Sequence, residues 1–182
     1  MINLDPKVIY SPNRLSFIES RIGVATLILS RGHLPSHHSI SGNWQPAKDY
    51  LDYALQQTLA QVDDEFEATS ALDEHGGDSQ CEVLYGRAGL LYALLYLRSS
   101  VHAHSREQRE ELEGELENLL SDTVLTPLVD SIIKRGQFGA RLLSSEPGAL
   151  HDAATGDLSP LMWKWHGRRY LGSAHGVGKC NP

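Results

Sequence analysis

Apolar residues return at three- and four-residue steps along most of this chain, a spacing that predicts helices. From Ala47 to Val62, the residues Tyr50, Leu51, Ala54, Leu55, Leu59 and Val62 mark one face of an amphipathic helix. Pro46 suits its first turn, where the donor that proline lacks would have no partner anyway. Val83 to Leu97 is apolar almost all round, which predicts a helix enclosed within a double layer, with Tyr85, Tyr92 and Tyr96 as core or cleft wall. Ser105-Arg106-Glu107-Gln108 resembles a capping box, and behind it Leu112, Leu116, Leu119 and Leu120 repeat at helical spacing among glutamates, the pattern of one outer-layer helix. Thr126-Pro127 is expected to start another, carrying Leu128, Val129, Ile132 and Ile133, and Gly136 after Lys134-Arg135 is expected to end it.

The run Phe17 to Leu29 is ambiguous by periodicity alone, since its β-branched residues would permit a strand. An internal comparison favours a helix. Arg21-Ile22-Gly23 and Arg87-Ala88-Gly89 share Arg-x-Gly followed by apolar residues, and Ala174-His175-Gly176-Val177 enters the same frame with Gly176 beneath Gly86. This is the mark of a degenerate repeat in which a glycine-bearing turn opens an inner helix. Residues 1 to 15 read as an irregular lead-in, 31 to 46 as a polar connection, 63 to 79 as an acidic loop and 136 to 157 as a long irregular stretch. No convincing strand emerges, so the expected class is all-α, built of helical hairpins that alternate inner and outer layers.

A length of 182 residues with 41% hydrophobic content suits one domain with a sizeable core. A formal net charge of -7 and the lack of any basic stripe argue against a nucleic-acid partner or a polybasic membrane anchor. The longest apolar run, Gly23 to Leu29, is too short to span a bilayer, and the expected location is the cytoplasm. Cys81 and Cys180 offer neither a disulfide framework nor a Cys-x-x-Cys pair, and the adjacent His37 and His38 cannot share a helix face, so neither pair predicts a metal site.

Chemistry concentrates in Tyr170-Leu171-Gly172-Ser173-Ala174-His175-Gly176, where an imidazole stands among residues too small to crowd a ligand. A buried histidine bonded to a carbonyl is the competing reading. Arg87 places a guanidinium at the mouth of an apolar helix, where it needs a carboxylate or phosphate partner or else ties down a loop. Ser159-Pro160-Leu161-Met162-Trp163-Lys164-Trp165-His166-Gly167 leads into the His175 stretch, and Leu84-Tyr85-Gly86-Arg87-Ala88-Gly89-Leu90-Leu91 stands earlier. In this order the three blocks resemble the lanthionine synthetase C-like family, and in particular its eukaryotic glutathione-binding branch.

The resemblance implies an α/α barrel, a ring of inner helices within a ring of outer ones, of which this chain would form an incomplete part. The family-like region is expected to cover residues 16 to 177, after the lead-in at 1 to 15 and before a non-family tail at 178 to 182. It also implies addition of a thiol, from glutathione or a peptide cysteine, to dehydroalanine or dehydrobutyrine. In the family a zinc ion lowers the pKa of the thiol and a histidine handles the proton of the enolate. His175 matches that histidine. Glu82 is the nearest match to an acidic residue with a supporting role, beside the simpler reading of a helix-start carboxylate, and Arg87 is the candidate for holding the thiol cofactor.

The family's zinc ligands, two cysteines and a histidine in motifs after the Ala-His-Gly block, have no counterpart in this sequence. The expectation is therefore that zinc belongs to full-length members and that this chain binds none and is inactive alone. Gly178-Lys179-Cys180 can be encoded GGT-AAG-TGC, which contains the intron start GTAAGT, so the tail is expected to be translated intron or a gene-model error. An incomplete ring is also expected to expose contiguous apolar surface. Two other readings stand beside this one. The first is a non-catalytic helical module that binds a protein partner; the second is a glycosidase-like α/α barrel with Glu82 and Asp157 as its carboxylates.

Overall fold

The computed structural model describes residues 15, 17–18, 20–32, 44–67, 81, 86–145, 160–165 and 168–169. Six helices are found among them: α1 (Arg21–Gly32), α2 (Gln45–Glu67), α3 (Arg87–His102), α4 (Arg106–Glu115), α5 (Glu117–Leu120) and α6 (Asp122–Ser144). The all-α class holds with one addition that periodicity did not show. Lys164–Trp165 (β1) and Arg168–Arg169 (β2) pair antiparallel, Lys164 opposite Arg169 and Trp165 opposite Arg168. A ladder two residues long is too short to leave an alternating apolar signature.

Helical spacing selects the core. Ile22, Ala25 and Leu29 of α1, Ala47, Tyr50, Leu51, Ala54 and Leu55 of α2, and Leu90, Ala93, Leu94, Leu97 and Val101 of α3 are all buried in one cluster. Each set steps by three and four residues and so lies on a single face. The run after Phe17 is thus a helix and not a strand, and α1 packs on both α2 and α3. Polar residues on the buried faces bond back along their own helix. Thr26 Oγ1 donates to the Ile22 carbonyl at 2.8 Å and Thr58 Oγ1 to the Ala54 carbonyl at 2.7 Å, which satisfies both hydroxyls without a partner across the core.

The Arg-x-Gly comparison is reproduced in register. Arg21 and Arg87 are each the first residue of their helix, so Gly23 and Gly89 each stand third. At Gly23 the reason is a close approach, because the carbonyl group of Phe17 fills the space that a β-carbon would need. The turn before α1 is thereby drawn against the helix, and Phe17 is delivered onto α3. Its ring meets Tyr92 edge-on with centroids 5.3 Å apart and Tyr96 at 5.6 Å.

Several boundaries differ from the sequence pattern. Helix α2 runs on through Asp63–Glu67, which were expected in the acidic loop, since no glycine or proline interrupts the chain before Gly76. The single outer helix expected over Leu112 to Leu120 is two, because Leu116 leaves helical geometry at φ -109 and ψ 12 while remaining fully buried. Both arrangements satisfy the same leucine spacing. Ser105 does sit at the N-cap of α4, but its hydroxyl donates to Gln108 Oε1 at 3.0 Å in place of the reciprocal backbone bonds of a capping box. Helix α6 begins at Asp122, ahead of the expected Thr126-Pro127, so Pro127 lies within its second turn and one helical hydrogen bond is forgone. Gly136 does not end the helix, which continues to Ser144.

Helix α3 was expected to be enclosed, and one side of it is open. Leu90, Leu94 and Leu97 are fully buried, whereas Tyr92 is 52% and Leu95 46% exposed. Ile18 and Tyr96 add to that exposed apolar surface.

Candidate functional site

The opening of α3 is the best defined of the sequence-predicted positions. Gly86 is its N-cap in an extended conformation, with φ -116 and ψ -166, and the amides of Gly89 and Leu90 bond back to the Gly86 carbonyl. Arg87 follows as the first helical residue and is 1% exposed, the largest fully buried side chain described. Arg87 takes part in at least one interaction and is not left alone, and burial of a permanent charge demands a partner. Arg87 thus marks a tightly enclosed helix start, where a carboxylate is the natural counterion.

Glu82, His175 and Asp157 lie outside the described residues, as do Gly176, His37, His38 and the tail at 178–182. Among the described residues no three of His, Cys, Asp and Glu come together in a way that could hold a metal ion. Cys81 is a buried residue. The donor set of the described residues therefore does not fit a zinc ion.

Downstream, the segment before β1 is fastened to α6. The Met162 amide donates to the Gly136 carbonyl at 2.8 Å, and the Trp163 indole Nε1–H donates to the Ile132 carbonyl at 3.2 Å. These contacts bring the start of the Trp-Lys-Trp-His-Gly block onto a helix some thirty residues earlier in the chain. Sequence reasoning missed the role of Gly136, because a glycine after two basic residues looks the same whether it ends a helix or leaves room for a ring.

A separate cleft of about 410 Å³ opens between the end of α3 and helices α4 and α5. Val101 and Leu120 contribute its apolar lining, with Arg98, His102 and Glu113 at its polar side. At its edge Arg98 Nη1 meets Asp122 Oδ1 at 2.6 Å and His102 Nε2 meets Glu113 Oε1 at 3.2 Å. Among the described residues, the sequence-predicted Arg87 does not line it.

Helical hairpins whose α1 and α3 both open on Arg-x-Gly, followed by a Trp-bearing segment seated on α6, define an all-α protein of repeated helical units. The family model for lanthionine synthetase C-like proteins matches residues 13–179, and the chain belongs to that family. It is similar to the LanC-like protein GCL1 of Arabidopsis thaliana, 27% identical over 152 residues that cover 84% of this chain and 29% of that protein. It is also similar to the glutathione S-transferase LANCL1 of Danio rerio, 28% identical over 96 residues that cover 53% of this chain and 18% of that protein. The chain thus spans less than a third of the length of these relatives. No solved structure matches it significantly. No helix among the described residues is long and apolar enough to cross a membrane.

Proposed function

We propose that this chain forms part of a protein that adds a thiol, with glutathione as the favoured donor, to dehydroalanine or dehydrobutyrine residues of a peptide. The observation that carries the reading is the family match across residues 13–179, supported by similarity to a relative named as a glutathione S-transferase. The reaction needs no oxidant. The thiol gives up its proton, the sulfur forms a bond to the β-carbon as the double bond's electron pair moves toward the adjacent carbonyl, and a proton is then delivered to the α-carbon, so that the net change is addition of S–H across the double bond. His175 is assigned the handling of that proton, a task suited to a side chain that titrates near neutrality. Arg87 is assigned a carboxylate of the thiol donor or peptide, and Glu82 a supporting acidic role.

The chain by itself is proposed to be inactive, because its described residues gather no metal-binding cluster and only two cysteines occur in its sequence. Incubation of the purified chain with zinc, glutathione and a dehydroalanine peptide, followed by metal analysis and intact-mass measurement, tests this. The expected result is neither stoichiometric zinc nor an adduct; zinc at one equivalent together with turnover overturns it.

A second reading is favoured by the exposed Tyr92, Leu95 and Tyr96 on α3, namely a non-catalytic helical module that binds a protein partner. A folded chain that binds a partner with undiminished affinity after His175→Ala, and whose full-length form adds no thiol, would establish it over the first.

A further inference from the structure

One glycine of α4 is not required by the protein's own packing. Gly114 lies within the helix, and a β-carbon added to it would meet nothing within 4 Å, in contrast to Gly23, where the Phe17 carbonyl group fills that space. A glycine here weakens α4 and gains no close contact in return. What it leaves is room, because Gly114 lines the cleft of about 410 Å³ between the end of α3 and helices α4 and α5.

That cleft has the size and the mixed lining of a small-molecule site. Such sites span about 300–1,000 Å³, with an apolar wall and a few polar groups that orient the ligand. Val101 and Leu120, 3% and 6% exposed, supply the apolar wall. Leu116 leaves helical geometry between α4 and α5, yet Glu113 and Gly114 before it and Glu117 and Leu120 after it all line the same cleft.

The charges select the ligand. Arg98 Nη1 is taken by Asp122 at 2.6 Å, and Glu113 Oε1 meets His102 Nε2 at 3.2 Å and Arg109 Nε at 3.7 Å. Glu117 forms no ion pair with any described residue, so its carboxylate is left over in the lining. An anion would have to displace Asp122 or Glu113 from its partner, whereas a cation meets an open carboxylate on a chain whose net charge is -7. Ser121 adds an acceptor, since its Oγ is 2.9 Å from Thr123 Oγ1 and a hydroxyl oxygen can accept a further hydrogen bond.

We propose that this cleft binds a small organic cation, an ammonium group on an apolar body. The ammonium sits at Glu117, and the body lies against Val101 and Leu120 in the room that Gly114 leaves. Because Glu117 is exposed, solvent screens its pull, so it supplies selectivity for charge while burial of the apolar body supplies most of the affinity.

The test titrates the full chain with para-fluorophenethylammonium and, separately, with para-fluorophenylpropionate, which carries the same ring on a carboxylate. Fluorine NMR reads both titrations for wild type, Glu117→Gln and Gly114→Leu. Leucine favours helix over glycine, so lost binding in Gly114→Leu cannot be ascribed to loss of α4, which far-ultraviolet dichroism checks. Glu117→Gln leaves the size of the cleft unchanged and keeps the test valid if Gly114→Leu fails to fold. The expected result is saturable binding of the amine with a dissociation constant of about 1 mM. Glu117→Gln should weaken it about two- to fivefold, as expected of an exposed charge pair, and Gly114→Leu should abolish it. The methyl resonances of Val101 and Leu120 should shift as the amine is added. Absence of saturation, still methyl resonances, or unchanged affinity in Gly114→Leu overturns the site. Unchanged affinity in Glu117→Gln, or propionate bound as tightly as the amine, overturns the assignment of a cation.

Discussion

The carbonyl group of Phe17 occupies the space that a β-carbon on Gly23 would fill, so a turn and the third residue of α1 are packed backbone against backbone. The aromatic contact of Phe17 with Tyr92 and Tyr96 depends on that approach. Gly23→Ala forces the turn outward, because a carbonyl cannot escape by changing rotamer. The expected loss is about 1–3 kcal/mol of stability, against a smaller gain from helix propensity. Urea unfolding of the variant beside wild type measures it, and equal midpoints would show that the turn yields freely.

Neighbouring leucines on α3 should behave differently. Leu94 is fully buried and Leu95 is 46% exposed, so Leu94→Ala is expected to cost about 2–5 kcal/mol and Leu95→Ala within about 0.5 kcal/mol of zero. Similar losses at both sites, read by thermal or chemical unfolding, would mean that the exposed side of α3 is covered in solution.

The ion pair between Arg98 and Asp122 is short, yet Asp122 is 79% and Arg98 34% exposed. Solvent screening reduces such a pair to a coupling of about 0.2–1 kcal/mol. A double-mutant cycle with Arg98→Ala and Asp122→Ala should find a value in that range that shrinks as salt is added. A coupling that persists at high salt would place the pair in a drier setting.

In a polypeptide that carries this chain and retains thiol-adding activity, His175→Ala should slow adduct formation by about 10²- to 10⁴-fold, with glutathione affinity little changed. Rates that match wild type at all pH values would remove His175 from the mechanism.

Much of the helical pattern could be read directly. The faces of α1, α2 and α3 follow from apolar spacing, and the shared Arg-x-Gly pattern marked the opening of a helix, while the structure set Arg21 and Arg87 as the first helical residues. The candidate site was less legible. Of His175, Glu82 and Arg87, only Arg87 falls within the described residues, and its near-complete burial could not be inferred from a charged residue at a helix start. His175 and Glu82 were singled out by resemblance to a family, which spacing alone would not have supplied.

By itself the sequence determined that the chain folds as helices with one apolar face each, and its motifs carried the family to which it belongs. Those properties are local, since each depends on residues three or four positions apart or on short blocks read in order. Tertiary structure decided what Gly136 is for, where the outer helix breaks at Leu116, and which side of α3 stays open. Each of these depends on a partner distant in the chain, such as the ring of Trp163 against Gly136, and local periodicity holds no information about what arrives from elsewhere.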